Sequence, residues 1–236
     1  MSERASPGGW SRTDPEGRPV RFTSGDPRPR PDEYEPLLTG AAVRLEPLRE
    51  THLDALCRIG LESSVTRFMP VQLRTREQMS SSVRDAITAR TAGTAIPLVM
   101  VLTDAGSDII VGSTRYMNID RSNRHMEIGS TWIGRQWQRT RVNTEVKYLM
   151  LRHAFEELGC LRIEFKTDSL NERSRAALLR IGAVQEGVFR SHVITDEGRI
   201  RHSVYFSIVA DEWPAVRLHL EGLLKPAPRE ARYPGL

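Results

Sequence analysis

The chain has 236 residues, 39% of them hydrophobic, so it can bury one substantial core. Its formal net charge is +4 and its sequence pI is about 9.4, with acidic and basic residues interspersed and not grouped in blocks. A mildly basic surface suits an acidic ligand and is weak support for nucleic-acid binding. The sequence contains neither an apolar run of about 18 residues nor a signal-type N-terminus, so we expect no membrane attachment.

The two cysteines, Cys57 and Cys160, lack the spacing of metal ligands. We therefore expect free thiols in a reducing compartment, which favours a cytoplasmic location. None of the six histidines belongs to a metal-binding pattern, so no metal is expected.

Composition divides the chain into three parts. Residues 1–35 are rich in Pro, Gly, Arg, Asp and Ser with almost no periodic apolar positions. Such a segment cannot bury enough surface to offset its ordering entropy, so a disordered extension is predicted. One domain is expected over residues 36–225, followed by a flexible tail over 226–236.

The first half of the domain begins with a strand from Ala42 to Pro47 and a short helix over residues 50–61. Residues 67–70, RFMP, break the pattern, and a second helix runs from Thr75, its expected N-cap, to Arg90. Apolar runs then predict strands at 96–103, 109–119 and 125–133, the first two joined by a tight turn.

A long helical pattern from Val146, with Asn143 or Thr144 as N-cap, lies between the strand at 125–133 and another at 160–168. This order predicts a β-α-β unit within a mixed sheet. A hairpin of 183–194 with 200–209 follows, and a last helix starts near Asp211.

The loop from Gln138 to Val142 precedes the long helix, whose first-turn N–H groups have no partners within the helix. Such a terminus can hold an anion, here a phosphate. Taken alone, the pattern is more typical of an ordinary capped core helix.

Three motifs in order give a resemblance: EIGSTW from Glu127, WQRTRVNTE from Trp137, and EFKTDSLNERSRAALLRIGA from Glu164. Together they resemble the GNAT superfamily of acetyl-CoA-dependent N-acetyltransferases, in its RimJ/RimL-type branch, over residues 38–224. The resemblance implies an α/β fold (α+β mixed sheet): a central, mostly antiparallel sheet, splayed at a cofactor cleft and flanked by helices.

The implied activity is transfer of an acetyl group from acetyl-CoA to a primary amine by direct attack in a ternary complex. The implied acceptor is a small-molecule amine or a protein N-terminus, and homodimers are common among such proteins. Neither nucleic acid nor membrane is an expected partner. The alternative is a non-catalytic acyl-CoA-binding or regulatory module, favoured by Arg141 at a family glycine position and Leu178 where many members have a proton-donating tyrosine.

The resemblance assigns the cofactor to one group of residues, in which the 138–143 loop cradles a diphosphate and strand positions meet the pantetheine arm. Arg141 in place of glycine either turns outward or helps to hold phosphate with its guanidinium. The expected cofactor residues are Thr131, Trp132, Ile133, Gln138, Arg139, Thr140, Arg141, Val142, Asn143, Thr144, Asn171 and Ser174.

Two residues are the catalytic candidates. Glu127 is the expected base, on a strand face shared with Gly129 and Thr131 and opposite Met126, Ile128 and Trp132. A structural carboxylate paired with an arginine is the other reading of Glu127. Ser174 is the expected hydroxyl near the leaving sulfur, against a simple helix serine.

The acceptor pocket is expected between the first two helices and the late strands. Packing alone would equally explain Phe68 and Met69. The candidate acceptor residues are Phe68, Met69, Arg115, Tyr116, Arg190 and Tyr205.

Overall fold

A computed structural model describes residues 12–13, 19–20, 35–104 and 107–225. The expected N-terminal extension and C-terminal tail lie almost wholly outside these ranges, so the three-part division stays a prediction. In the N-terminal stretch, two short strands, β1 (Arg12–Thr13) and β2 (Pro19–Val20), pair antiparallel.

Eight strands form one sheet in the order β3-β4-β5-β6-β7-β8-β10-β9. Each neighbouring pair is antiparallel except β7 with β8, which confirms the mixed, mostly antiparallel sheet. The strands are β3 (Leu38–Thr39), β4 (Val43–Pro47), β5 (Ala95–Asp104), β6 (Ser107–Asp120), β7 (His125–Ile133), β8 (Arg162–Asp168), β9 (Val184–Ile194) and β10 (Ile200–Val209).

Helices cover both faces of the sheet. On one face lie a 3-10 turn (Glu50–His52), α1 (Leu53–Gly60), α2 (Ser63–Thr66) and α3 (Arg76–Thr91). On the other lie α4 (Val142–Arg152), continued by a π-helical turn (His153–Glu157), then α5 (Glu172–Arg180) and α6 (Trp213–Leu224). A further 3-10 turn, Arg135–Trp137, leads into α4.

The core has one apolar cluster on each side of the sheet. In β5, Leu98 and Met100 pack in the larger cluster under α4, while Val99 and Val101 pack under α1 and α3. Because both faces are covered, β5 is apolar at consecutive positions where a half-exposed strand would alternate. The sheet is therefore a buried layer between two layers of helix.

The local expectations for the start of the long helix are wrong. The helix begins at Val142, and its N-cap is Arg141 and neither Asn143 nor Thr144. Val142 packs in the core one turn before Val146, which extends the apolar stripe backwards. Neither α2 nor the π-helical turn was expected.

A bulge at Ser130 also breaks the expected alternation of β7. Ser130 has φ of 48°, and the pairing with β6 shifts register between Trp132 and Gly129. As a result, Trp132 packs with the α1 and α3 cluster, whereas Met126 and Ile128 pack on the opposite face. The prediction that these three share a face is wrong because one extra residue reverses the side chains that follow it.

The N-cap of α3 offers a test of how this helix is stabilised. Thr75 Oγ1 accepts a hydrogen bond from the N–H of Gln78, 3.2 Å away, and the Gln78 side chain accepts one from the N–H of Thr75. Thr75→Ala should lower the free energy of unfolding by about 1 kcal/mol because an orphan N–H loses its partner. Chemical denaturation measures this.

The matched control is Thr91→Ala at the other end of α3, where the hydroxyl only bonds back to the carbonyl of Ile87. Its effect should be close to zero. Equal losses in the two variants would contradict the capping role of Thr75.

Candidate active site

The cleft lies where β7 and β8 separate. The two strands pair at only three positions, His125 with Arg162, Met126 with Ile163, and Glu127 with Glu164. Beyond Glu127 they diverge, and a cavity of about 810 Å³ opens between them. That volume lies within the range of small-molecule and cofactor sites.

The N-terminus of α4 forms one end of this cavity. Asn143 and Thr144, in its first turn, both line the cleft, and their N–H groups have no carbonyl four residues earlier within the helix. The side chain of Val142 packs in the core, while its N–H donates to Thr140 Oγ1 at 3.3 Å. Positive dipole potential and free donors make this end suited to phosphate.

Arg141 does not fill this cradle. Its backbone is in the ordinary right-handed helical region, with φ of −69°. Its guanidinium turns to the C-terminus of α6, where Nη1 donates to the carbonyl of Leu224 at 3.3 Å and Nη2 to that of Lys225. Of the two alternatives for Arg141, the structure has the outward one, so the loss of glycine costs no strain there. The left-handed residue of the loop is instead Arg139, with φ of 62°.

Side chains from α5 form hydrogen bonds to residues at the N-terminus of α4 and in the loop before it. Arg173 donates to the Gln138 amide oxygen, and the Gln138 Nε2 donates to the carbonyl of Ile133 at 2.8 Å. Arg180 Nη2 donates to Thr144 Oγ1 at 2.7 Å. Guanidinium groups thus surround the helix terminus and add fixed positive charge to the dipole.

The open edge of β7 runs from Ile128 to Ile133. This stretch pairs with β6 on one side and has no pairing with β8 on the other. An extended, amide-containing ligand could hydrogen-bond there as an added strand. Thr131 and Ile133, both expected to bind cofactor, line the cleft here together with Trp132.

Glu127 lies at the inner end of the cleft and is 4% exposed. Its Oε2 accepts a hydrogen bond from Asn118 Nδ2 at 2.9 Å and lies 3.4 Å from Lys166 Nζ. Its ion partner is thus a lysine, where the structural reading of this residue expected an arginine. A Cβ at Gly129 would lie 2.7 Å from Glu127 Oε1, so only glycine leaves room for the carboxylate.

Asn171 and Ser174 occupy the first turn of α5, beside the cleft. Asn171 Oδ1 accepts the N–H of Ser174 at 3.1 Å, which makes Asn171 the N-cap of α5. Both residues line the cleft, and so does Leu178, which is 7% exposed. The hydroxyl of Ser174 is therefore placed to face a bound ligand, and the position of the family tyrosine is apolar.

The acceptor candidates separate into two groups. Phe68 and Met69 line the cleft, and the Phe68 carbonyl accepts from Arg201 Nη1 at 3.3 Å. Tyr205 is close by, with Lys166 Nζ 5.7 Å from its ring centroid and Phe189 against its other side.

The remaining three acceptor candidates do not line the cleft. Tyr116 is fully buried under α4, where its hydroxyl donates to the carbonyl of Met150 at 2.7 Å. Arg115 is largely buried and feels the charge of Asp85 on α3, while Arg190 is exposed on β9. The expectation for these residues fails because strand alternation alone does not say which face of the sheet is covered by which helix.

Lys147 is a cleft residue that the sequence patterns missed. It is 5% exposed, and its Nζ lies 3.3 Å from Thr131 Oγ1 and 5.3 Å from the centroid of the Phe165 ring. Burial lowers its pKa from 10.5 to about 7, and the nearby charge of Glu127 opposes this only in part. A lysine within an apolar helix stripe was the available signal, but a solvated helix face explains most such lysines.

The charge of the cleft fits coenzyme A. Among its described lining residues, Glu127 is the one acid, and the bases are Arg139, Arg141, Lys147, Lys166, Arg173, Arg180 and Arg201. The excess of positive charge lies at the end where a diphosphate would sit, and the open β7 edge lies where a peptide-like arm would follow. These residues therefore fit a nucleotide thioester.

Comparison with known proteins agrees with this geometry. Residues 42–184 match the family model described as an acetyltransferase (GNAT) domain. YdaF of Bacillus subtilis (strain 168), provisionally named a ribosomal N-acetyltransferase, is 33% identical over 104 residues. That match covers 44% of the chain and 56% of YdaF, so the chain spans little more than half the length of this relative.

Solved structures give the same fold. A GCN5-related N-acetyltransferase from Brucella melitensis superposes with a TM-score of 0.74 at 29% identity, over 84% of this chain and 89% of that one. RimJ from Mycobacterium smegmatis, in complex with CoA-disulfide, gives 0.68 at 23% identity, over 80% and 93%. The second likeness concerns the fold alone.

Residues 35–104 and 107–225 make up nearly all of the chain that the structure describes. In these ranges no helix is both long and apolar enough to span a membrane. No group of three or more His, Cys, Asp or Glu side chains in them is arranged to hold a metal ion.

The lowered pKa of Lys147 makes stability depend on pH. Between about pH 7 and its unfolded pKa near 10.5, the unfolded state binds more protons at this residue, so stability rises with pH and the penalty is fully present below pH 7. Lys147→Met should therefore raise the free energy of unfolding. This gain should shrink by roughly 2–3 kcal/mol from pH 7 to pH 9.

Urea unfolding of both proteins across this pH range measures the difference. Lys225→Met is the control, since Lys225 is exposed and its difference from the wild type should not change with pH. A gain for Lys147→Met that is constant over the range would show that the amine is already solvated in the folded protein.

Proposed function

Because the chain belongs to the GNAT acetyltransferase family, we propose that it transfers an acetyl group from acetyl-CoA to a primary amine. The observation that carries the proposal is the gap between β7 and β8, which joins the N-terminus of α4 to a buried carboxylate. When bound, the coenzyme supplies an activated acyl thioester. The two reactants then meet by direct attack in one ternary complex.

Each end of the cleft has its own role. The first-turn N–H groups at Asn143 and Thr144, with Arg173 and Arg180, hold the diphosphate end. The open edge of β7 from Thr131 to Ile133 orients the pantetheine arm, since its backbone groups are free of β8. Gln138 and Asn171 hold this arrangement in place through the hydrogen bonds described above.

Glu127 is the proposed base. An acceptor amine arrives as an ammonium and must lose a proton before its nitrogen has a lone pair for attack. Glu127 lies where the pairing of β7 with β8 ends, and Phe68 and Met69 add apolar surface to the same cleft. Its hydrogen bond from Asn118 fixes the carboxylate orientation and leaves Oε1 free to take the proton, directly or through water.

The acceptor is proposed to be a small-molecule amine or a protein N-terminus. YdaF carries a ribosomal N-acetyltransferase name, which favours the protein N-terminus, although its matched length is limited. The two free cysteines, Cys57 and Cys160, support a reducing compartment, so we place the activity in the cytoplasm. A homodimer remains a prediction, which light scattering would test.

A titration with acetyl-CoA followed by a thiol-release assay on a panel of amines tests the function. We expect saturable binding of acetyl-CoA and thiol release that requires an amine. Binding without turnover on any amine or N-terminal peptide would support a non-catalytic acyl-CoA-binding module instead. Absence of binding would overturn both proposals.

Glu127→Gln tests the assignment of the base. Glutamine keeps the shape and can still accept from Asn118, but it cannot take a proton, so kcat should fall on the order of 100-fold. The loss should grow toward lower pH, where a smaller fraction of the acceptor is already neutral. Steady-state kinetics as a function of pH measure this.

Glu164→Gln is the matched control, because Glu164 lies opposite Glu127 in the strand pairing but bonds to Arg162 outside the cleft. It should retain the wild-type profile. If the Glu127 variant kept the wild-type pH dependence, Glu127 could not be the base.

A further inference from the structure

We propose that Lys147 donates the proton that the departing coenzyme A sulfur takes up, and that Ser174 only orients this sulfur. The inference rests on the proposed acyl transfer and assigns its general acid. Neither the sequence motifs nor the presence of Leu178 at the position of the family tyrosine had indicated Lys147.

Lys147 is placed in the gap itself. It projects from α4 so that its Nζ lies 3.3 Å from Thr131 Oγ1 on β7 and 5.3 Å from the centroid of Phe165 on β8. Those two strands are the walls of the cleft, and both neighbours line it. A ligand that passes between the strands must therefore pass beside this amine.

The composition of the chain makes this placement specific. The sequence contains only three lysines, Lys147, Lys166 and Lys225, and its other side-chain cations are arginine or histidine. Two of the three lysines line the cleft. Arginine supplies charge but does not release its proton in proteins, whereas lysine can do both.

The charged surroundings keep Lys147 available. Glu127 on β7 is the carboxylate whose field acts on it, but Glu127 forms its ion pair with Lys166 of β8. The other charged residues that line the cleft are all cationic. The amine therefore has no carboxylate partner at ion-pair distance within the described chain, and its hydrogen bond is to a hydroxyl.

Acid strength decides between Lys147 and Ser174. An alkyl thiol such as cysteine has a pKa of about 8.5, so a solvated lysine near 10.4 is too weak an acid to protonate its thiolate readily. Burial lowers the pKa of Lys147 to about 7, which makes the transfer favourable. A serine hydroxyl can hydrogen-bond to sulfur but is a far weaker acid, and Leu178 offers no proton.

The proton balance is complete with these groups. Glu127 takes one proton from the acceptor ammonium, and the nitrogen lone pair then forms the C–N bond as the C–S bond breaks and its electron pair moves to sulfur. Lys147 gives its proton to that sulfur. The amide nitrogen loses its second proton to water, and transfer of a proton from Glu127 to Lys147 restores both groups.

The first test needs no turnover. Because there are three lysines, labelling with ¹³C-lysine gives three side-chain signals, and Lys147→Arg identifies one of them by its loss. That signal should titrate near neutral pH in the free protein. It should shift on addition of coenzyme A and clearly less with an analogue that has hydrogen in place of the thiol.

The second test uses an amine that the wild type is first shown to acetylate. Lys147→Met and Lys147→Arg should both lose turnover on the order of 100-fold, with acetyl-CoA affinity changed only a few-fold. Lys225→Met should keep wild-type turnover. Ser174→Ala should keep the decline of rate at alkaline pH, since this decline reports loss of the proton from Lys147.

Failure of the inference is distinct from failure of the function. If the wild type acetylates amines and Lys147→Arg is fully active, fixed charge suffices and Lys147 is not the proton donor. Mass spectrometry that finds acetyl on Lys147 after incubation with acetyl-CoA would make it a nucleophile and overturn the proposal. Equal shifts of its signal with coenzyme A and the thiol-free analogue would also overturn it.

Discussion

The broken hydrogen bonding between β7 and β8 is the constraint on which the rest of the structure depends. Three residue pairs hold these strands together, and their separation after Glu127 leaves one edge of each without a partner at this side. Unpaired backbone inside a domain is costly, so the gap persists only because α4 and α5 cover it and other strands hold the outer edges. The bulge at Ser130 adds to the divergence by bending β7 away.

The charged groups are arranged in order along the cleft. Guanidinium groups lie at the terminus of α4, two amines lie in the middle, and Glu127 lies at the far end. A single carboxylate among many cations would be expected to form a simple ion pair. Here Lys166 and Asn118 share Glu127, while Lys147 keeps a hydroxyl partner, so the carboxylate and the buried amine are not paired with each other. Each can therefore exchange a proton with a ligand, as separate base and acid roles in one site require.

The sequence predicts what depends on local pattern. The bounds of β7, the Thr75 cap and the Asn171 cap all follow from alternation and from side chains that bond to nearby N–H groups. It fails where tertiary packing decides: the start of α4 is set by burial of Val142, and the turn of Trp132 to the other face is set by one bulged residue.

The same distinction between local pattern and tertiary packing applies to the candidate site. Residues carried by contiguous motifs lie together at the cleft: those from Gln138 to Thr144, apart from the buried side chain of Val142, and Asn171 with Ser174. Tyr116 was placed wrongly because adjacent strand positions look alike before the helices are packed. Lys147 and Arg201 were missed because a lone cation in a helix or strand carries no local signal of burial.

Because most cations of the cleft are arginines and few are lysines, one part of the cleft keeps its charge when the pH changes and another part does not. The guanidinium groups around the α4 terminus, including Arg141 where it holds the end of α6, keep their charge at any pH a cell experiences. A rise in pH would therefore leave the charge that binds a phosphorylated ligand intact while Lys147, deeper in the gap, loses its proton. In such a protein, a rise in pH stops the reaction while the phosphorylated ligand stays bound.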